Sequence, residues 1–398
     1  MPNGWFPSIA WRFTRAWREA HAVAIPSDWS LDNVRVRNLY VQNRVPSRLS
    51  YPRDADTRVK NALARALRTA GFSPGRDVLL VQFALPYGPP VRAAARELSL
   101  PYAVQLRGDD VWVWPHRSDR AFRGFVNTVR DASLVLAVSR ALIGEASRIS
   151  SHAINRAAVV PNGIDVERFR PPASGTEREA FRSELGLASD EIAVLCVADL
   201  LVRKGWLELL DALEMASTSV RRLVLVAATG TMFREVDLLA EVARRAPGLR
   251  VVLRHDLEPD ALARAYRASD IFCLVSHWEG MSNALLEAIA CGLPAVTTAM
   301  AGHPEVITHG RDGFLVPPKS VEPIREAIEM LATDAALRSR VGKAARVRAE
   351  GIGDSRKAGR RLASLLVGIT GQLDPEILAA DPYATPPRRA ELALAGSS

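Results

Sequence analysis

Residues 270–296 read Asp270-Ile-Phe-Cys-Leu-Val-Ser-His-Trp-Glu279-Gly-Met-Ser-Asn283-Ala-Leu-Leu-Glu287-Ala-Ile-Ala-Cys291-Gly-Leu-Pro-Ala-Val296. The apolar, β-prone run from Asp270 to Val275 predicts one buried strand. A small polar turn from Glu279 to Asn283 follows it. Asn283 to Cys291 predicts a helix with Asn283 as its N-cap, stopped by Gly292 and Pro294. Strand, glycine-containing loop and helix N-terminus in that order make an anion site. The first helical amides have no internal partner, and the helix dipole favours negative charge there. A phosphate is therefore expected near Gly280, Met281, Ser282 and Asn283. Glu287 lies one turn deeper on the same helical face, where its carboxylate suits a hydroxyl pair such as a ribose. Glu279, ahead of the helix, is placed to read sugar hydroxyls on the other side of the phosphates. On spacing alone, an ordinary strand–helix unit carrying two solvated glutamates is an equal alternative.

This stretch resembles the Glu-x7-Glu signature of the family-4 retaining glycosyltransferases, the glycosyl transferases group 1, which have the GT-B fold. The resemblance continues through Gly292-Leu-Pro-Ala-Val296, Ala301-Gly-His-Pro-Glu-Val-Ile307 and Gly310-Arg-Asp-Gly-Phe-Leu-Val-Pro317. It implies an α/β chain with two doubly wound, Rossmann-like domains facing across a cleft. In that family the first glutamate touches the transferred sugar and the second holds the nucleotide ribose. Glu279 and Glu287 take those roles here, with Gly280, Met281, Ser282 and Asn283 as donor-binding neighbours.

Upstream, Glu191 to Val197 predicts a strand, followed by Ala198-Asp-Leu-Leu-Val-Arg-Lys-Gly205 and a helix from about Trp206. The family usually has Gly-Arg-Leu before Lys-Gly. Lys204 and Gly205 are kept, but Asp199 stands where a phosphate-binding Arg is expected. Either Asp199 points away and Arg203 or Lys204 neutralises the phosphates, or donor binding is impaired. Lys204 is expected to be a phosphate ligand, and Lys204, Arg203 and Glu279 form the expected catalytic set. Leu223 to Ala227 and Leu249 to Leu253 continue a strand–helix alternation. Arg254 and His255 come just after the latter strand, where the family places its nucleotide base, so His255 is a donor-side candidate. Two helices are expected after Pro318. A last helix, Asp354 to Ile369, is expected to cross back to the first domain.

In the first half, a helix over Ser8–Ala20 and a strand His21–Ile25 come where a first strand is expected, so either the true start lies upstream or this domain lacks its opening strand. Gly4 and Pro7 look like the loop after it, which in the resembled family lies near the donor phosphates. The first helix has a basic side, read either as solvated or as a membrane-surface contact. Asn33 to Leu39 predicts a strand and Arg44 to Thr57 a polar loop, including Asp54-Ala-Asp56, read as solvated rather than as a metal motif. Asn61 to Gly71 and Pro90 to Leu98 predict helices. Asp77 to Phe83, Tyr102 to Leu106 and Leu134 to Val138 predict strands. The segment Arg107-Gly-Asp-Asp110 falls at the carboxyl end of a strand, where open α/β sheets bind ligands. Family members often read His-Gly-Ser-Asp here. Arg107 cannot act as a general base near neutral pH, but it can pair with a phosphate or an acidic acceptor. Arg107, Asp109, His116 and Gly4 are the acceptor-side candidates.

Three cysteines, each inside an apolar segment, show no metal-ligand spacing and do not make a disulfide scaffold. Of the 398 residues, 48% are hydrophobic and 24% charged, which suits globular domains with substantial cores. The net charge of +8 favours anionic partners. No zinc finger, RNA-recognition signature or long basic run points to nucleic acid. The expected organisation is an acceptor-side domain over 1–168, a linker over 169–176, a donor domain over 177–352, a crossover helix over 353–370 and a loosely ordered tail over 371–398. The expected activity is a metal-independent, retaining transfer from a nucleoside-diphosphate sugar, with no further cofactor. The acceptor is expected to be a glycan, lipid-linked or small molecule, in cell-surface polysaccharide or glycoconjugate synthesis, and the protein is expected in the cytoplasm, either free or peripheral on the inner face of an anionic membrane. A non-catalytic nucleotide-sugar-binding relative and a sugar-nucleotide epimerase are the alternatives.

Overall fold

The run Ile271–Leu274 lies inside a six-stranded parallel sheet, with apolar side chains buried on both faces. A strand flanked on both faces must be apolar at every position rather than at alternate ones, which is why its sequence reads as an unbroken run. The computed structural model describes residues 28–31, 34–37, 55–69, 71–152, 154, 156–216, 222–227 and 235–371. They fall into two units. One holds the described residues to Ala137, Leu142–Ala158 and those from Gly359; the other holds Val138–Ala141 and Val159–Ala358. The helix Ser355–Thr370 begins in one and continues in the other.

The larger unit is built on the sheet order Phe314–Val316, Ala295–Thr298, Ile271–Leu274, Ala193–Ala198, Arg222–Ala227, Arg250–His255. Phe272 pairs with Ala295 on one side and Leu195 on the other. This register carries the loops after Ala193–Ala198 and Ile271–Leu274 to the same end of the sheet. The intervening helices include Trp206–Met215, Pro259–Ala268, Asn283–Ala290 and Val321–Thr333. Tyr266, fully buried, stacks edge-on to Phe169 at 5.9 Å and tilted to Phe272 at 6.0 Å, anchoring Pro259–Ala268 to the sheet.

The smaller unit has a four-stranded sheet, Leu79–Gln82, Tyr102–Leu106, Leu134–Ala137 and Ala157–Val159, with the first three strands paired in parallel. Among the described residues no strand before Leu79 joins it. Asp28–Leu31 and Val34–Arg37 instead pair with each other as an antiparallel hairpin. The expected helix at Ser8–Ala20, the strand at His21–Ile25, Gly4, Asp54 and the tail beyond Gly371 lie outside the described residues.

Several boundaries differ from expectation. The helix placed at Asn61–Gly71 begins earlier, at Ala55–Thr69, and so takes in the end of the expected polar loop. A helix, Gly175–Glu184, begins inside the expected linker because Ser174 caps it, its side chain accepting from the Glu177 amide. Arg254 and His255 are the last two residues of their strand rather than the residues after it. No helix among the described residues is long and apolar enough to cross a membrane.

Candidate active site

The helix that follows the central strand spans Asn283–Ala290, and its N-cap is Ser282 rather than Asn283. The Ser282 hydroxyl accepts from the Leu285 amide at 3.2 Å. Hydroxyl and amide side chains cap equally well, so with Ser and Asn adjacent the sequence does not decide between them. The first turn thus starts one residue earlier than an Asn283 cap would give, at Asn283 itself. At the other end, Gly292 takes the left-handed conformation, φ 74°. The Arg346 guanidinium donates to the carbonyls of Ala290, Phe169 and Val166.

Glu279 and Glu287 are not solvated. The Glu279 side chain is 11% exposed and bonded to Lys204, whose Nζ lies 2.5 Å from Oε1. The Ser276 hydroxyl donates to the same oxygen at 3.1 Å. Burial works to raise the Glu279 carboxyl pKa, but the charge and hydrogen bond of Lys204, with Arg203 behind them, hold it below the usual range. Lys204 and Glu279 are 75 residues apart and meet because their strands, Ala193–Ala198 and Ile271–Leu274, are neighbours. The Lys204 loop is clamped in place: the His277 amide donates to the Arg203 carbonyl at 2.7 Å. Gly205, at φ 72°, comes so close to the next loop that an added Cβ would lie 2.1 Å from the Val275 carbonyl oxygen. Only glycine fits that contact, which gives the Lys-Gly pair a physical basis. Arg203 also sits over the Trp278 ring, 5.9 Å from its centroid.

Glu287 is buried one turn into the helix, 7% exposed. The Tyr266 hydroxyl lies 3.0 Å from its Oε2 and 3.1 Å from the Ala284 carbonyl oxygen. Burial pushes the Glu287 carboxyl up to about 7, against the lowering effect of the Tyr266 hydrogen bond. Near neutral pH this carboxyl is therefore poised between its two states.

Three residues of this site were missed from sequence. Tyr266 reaches Glu287 from another helix and carries no local signal. Asn162 donates to the Met281 carbonyl at 3.3 Å. His303 is fully buried. Its Nδ1 lies 2.8 Å from the Thr297 hydroxyl and 3.2 Å from the Thr298 carbonyl. The Thr297 proton is given to the Leu274 carbonyl, so Nδ1 is the protonated nitrogen of His303 and burial keeps the ring neutral, its pKa lowered. The family pattern around Gly302 hinted at this turn, but not at the side chain. Asp199 is half-buried. His255 is exposed and is the last residue of Arg250–His255, the edge strand of the six-stranded sheet. Among the described residues no group of three or more His, Cys, Asp or Glu side chains is placed to hold a metal ion.

In the smaller unit, the segment after Tyr102–Leu106 turns through Gly108 at φ 147° into a short helix, Asp109–Trp112. Asp110, not Asp109, organises it. Its Oδ1 accepts from the amides of Arg107 and Gly108 at 3.0 and 2.8 Å, and its Oδ2 from Ala84 at 2.8 Å. Asp109 and Arg107 are half-buried, and His116 is exposed.

Two α/β units with parallel sheets make up the fold of the GT-B glycosyltransferases. Residues 177–348 match the family model described as glycosyl transferases group 1. It is 29% identical over 286 residues to the teichuronic acid biosynthesis glycosyltransferase TuaC of Bacillus subtilis, covering 71% of this chain and 68% of that protein. It is 31% identical over 227 residues to the D-inositol 3-phosphate glycosyltransferase of Xylanimonas cellulosilytica, covering 56% of this chain and 54% of that one. The alignment thus spans about half the length of the inositol phosphate enzymes it matches. Among solved structures, the Anabaena protein HepE in complex with UDP aligns with a TM-score of 0.67 at 22% identity, over 76% of this chain and 81% of that one. Sucrose-phosphate synthase from Thermosynechococcus elongatus aligns at 0.71 and 19% identity, over 85% and 84%.

Proposed function

We propose that the chain is a retaining glycosyltransferase that moves a sugar from a nucleoside-diphosphate sugar to a glycan, lipid-linked or small-molecule acceptor. The observation that carries this reading is the buried Lys204–Glu279 pair beside the first turn of Asn283–Ala290, with Glu287 one turn deeper. The diphosphate lies at the helix N-terminus, where the leading amides and dipole stabilise it. Lys204 has three donors, so it can hold Glu279 and a phosphate oxygen together. As the sugar leaves, charge builds on the diphosphate, and Lys204, Arg203 and these amides stabilise it, which lowers the barrier. Glu279 takes hydroxyls of the transferred sugar. Glu287, as carboxylate, takes the ribose diol.

Structural neighbours solved with UDP and with UDP-glucose make uridine donors the first to test. Relatives named for teichuronic acid and for inositol 3-phosphate point to acceptors with acidic groups. Synthesis of a cell-surface glycan, at the inner face of a membrane, is the setting these names favour. The reaction needs no protein nucleophile if the acceptor enters from the face the diphosphate leaves. The test is a proton NMR time course of donor turnover. The first product formed should keep the donor's anomeric configuration; an inverted first product would defeat the retaining assignment.

A further inference from the structure

Arg107 immediately follows the last residue of the strand Tyr102–Leu106, at the sheet end where ligands of open α/β folds bind. It is half-buried, and loss of solvent lowers its pKa. A guanidinium does not escape that cost by deprotonating. Among the described residues it makes no ion pair. The adjacent carboxylate, Asp110, acts on it only at a distance. Both Asp110 oxygens are already engaged by the backbone amides of Arg107, Gly108 and Ala84, and burial raises the Asp110 pKa. The fold therefore spends its nearest carboxylate on shaping the turn, and among the described residues no carboxylate pairs with the guanidinium fork. The next basic residue along, Arg117, is committed otherwise: its Cζ lies 4.5 Å from the centroid of the Trp114 ring. A partly desolvated positive group without a partner destabilises the free protein. A carboxylate or phosphate, which matches the fork with two parallel hydrogen bonds, removes that cost on binding.

We propose that Arg107 is the recognition point for an anionic group, carboxylate or phosphate, on the acceptor, so that the first unit selects acidic acceptors over neutral ones. This rests on the glycosyltransferase reading for the word acceptor, but not for the anion site itself. It separates the reaction's two ionic subsites: Lys204 and the helix terminus serve the donor, Arg107 the acceptor. Arg107 is here a specificity-determining residue, with no part in proton transfer.

The experiment titrates the full chain, at low salt, with glucose 6-phosphate, glucuronate and glucose, following the arginine Nε–Hε signals by NMR. The wild type should bind both acidic sugars about tenfold or more tightly than glucose, the effect of one charge-assisted pair. Arg107→Met should erase that preference and remove the one responding arginine signal. Arg107→Lys should keep part of it, since it keeps the charge without the fork. A preference for glucose 6-phosphate alone assigns a phosphate; a preference for both assigns any acid group. Equal binding of the three sugars by the wild type, or an acid preference that survives Arg107→Met, overturns the inference. Should Arg107→Met not fold, the Arg107→Lys titration and the wild-type Nε–Hε response decide it alone. The thermal shift given by a nucleoside diphosphate, run on the same samples, reads the donor site separately. Its absence strikes the glycosyltransferase reading and leaves the anion result standing.

Discussion

Under the proposed assignment of Glu287 to the donor ribose, donor binding would depend on pH, and the size follows from the surroundings of this carboxyl. Its carboxyl is raised from the ordinary value of 4.5 to about 7, with burial as the main cause and the Tyr266 hydroxyl opposing it. The ribose diol donates hydrogen bonds, so it needs the carboxylate. Below the pKa the protein must first lose a proton, and affinity falls as pH falls. Between pH 8 and pH 6 the ionised fraction drops from about nine-tenths to about one-tenth, a loss of about tenfold or about 1.4 kcal/mol. In the free protein the sign is opposite. The folded state holds this proton more tightly than the unfolded chain, so the group's contribution to stability declines as pH rises from about 4.5 to about 7. The assay is isothermal titration of a nucleoside-diphosphate sugar, whose doubly esterified phosphates do not titrate in this range, in two buffers of different ionisation heat. Proton release on binding should be largest near pH 6 and fade by pH 8.5. Glu287→Gln should bind weakly with no pH dependence. Tyr266→Phe removes the one hydrogen bond that lowers the pKa, so its affinity should begin to fall at a higher pH than in the wild type. An affinity constant between pH 6 and pH 8, without proton release, would refute the assignment of Glu287 to the ribose.

Lys204→Met should cut turnover by about 10²–10³-fold, as when one transition-state charge stabiliser is removed, and steady-state kinetics checks it. The same change strands Glu279 as a buried unpaired charge and should cost about 3–5 kcal/mol of stability. Urea unfolding should show much of that loss recovered in the double variant Lys204→Met/Glu279→Gln, and no recovery would mean the two side chains are not coupled. Gly205→Ala puts a Cβ 2.1 Å from the Val275 carbonyl oxygen at φ 72°. It should destabilise by about 1–3 kcal/mol and weaken nucleotide binding by shifting Lys204; a thermal melt unchanged from wild type would show that the close approach is absent in solution.

The parallel sheets were legible because strands buried on both faces must be apolar throughout, as at Ile271–Leu274 and Tyr102–Leu106. The helix at Asn283–Ala290 was legible from its cap-and-stop residues, although the cap itself belongs to Ser282. The two glutamates were singled out by their spacing together with the family resemblance, but their burial was not legible, since nothing local distinguishes a glutamate that meets Lys204 from one that meets water. The pairing depends on which strands are neighbours, a tertiary fact. Its trace in sequence is indirect: a Lys-Gly turn after one apolar run and a Glu after another. Tyr266 was hidden because on a helix it reads as core, and only its hydroxyl's direction gives it a role. The strand expected to end at Leu253 runs two residues further, to His255, the kind of boundary that apolar patterning defines poorly. Asp110 was passed over for Asp109 because adjacent carboxylates look alike until the turn decides which faces the backbone amides.

The central claim is a nucleotide site built on Lys204, Glu279 and Glu287. Thermal unfolding with UDP, GDP, ADP and dTDP, each at about a hundred times a trial dissociation constant, tests it most directly, because binding at that level adds about 2.7 kcal/mol of stability. The account predicts an upward shift with one base above the others, lost in Glu287→Ala while the ligand-free melting temperature stays close to wild type. No shift with any of the four, or a shift that Glu287→Ala leaves intact, would contradict it.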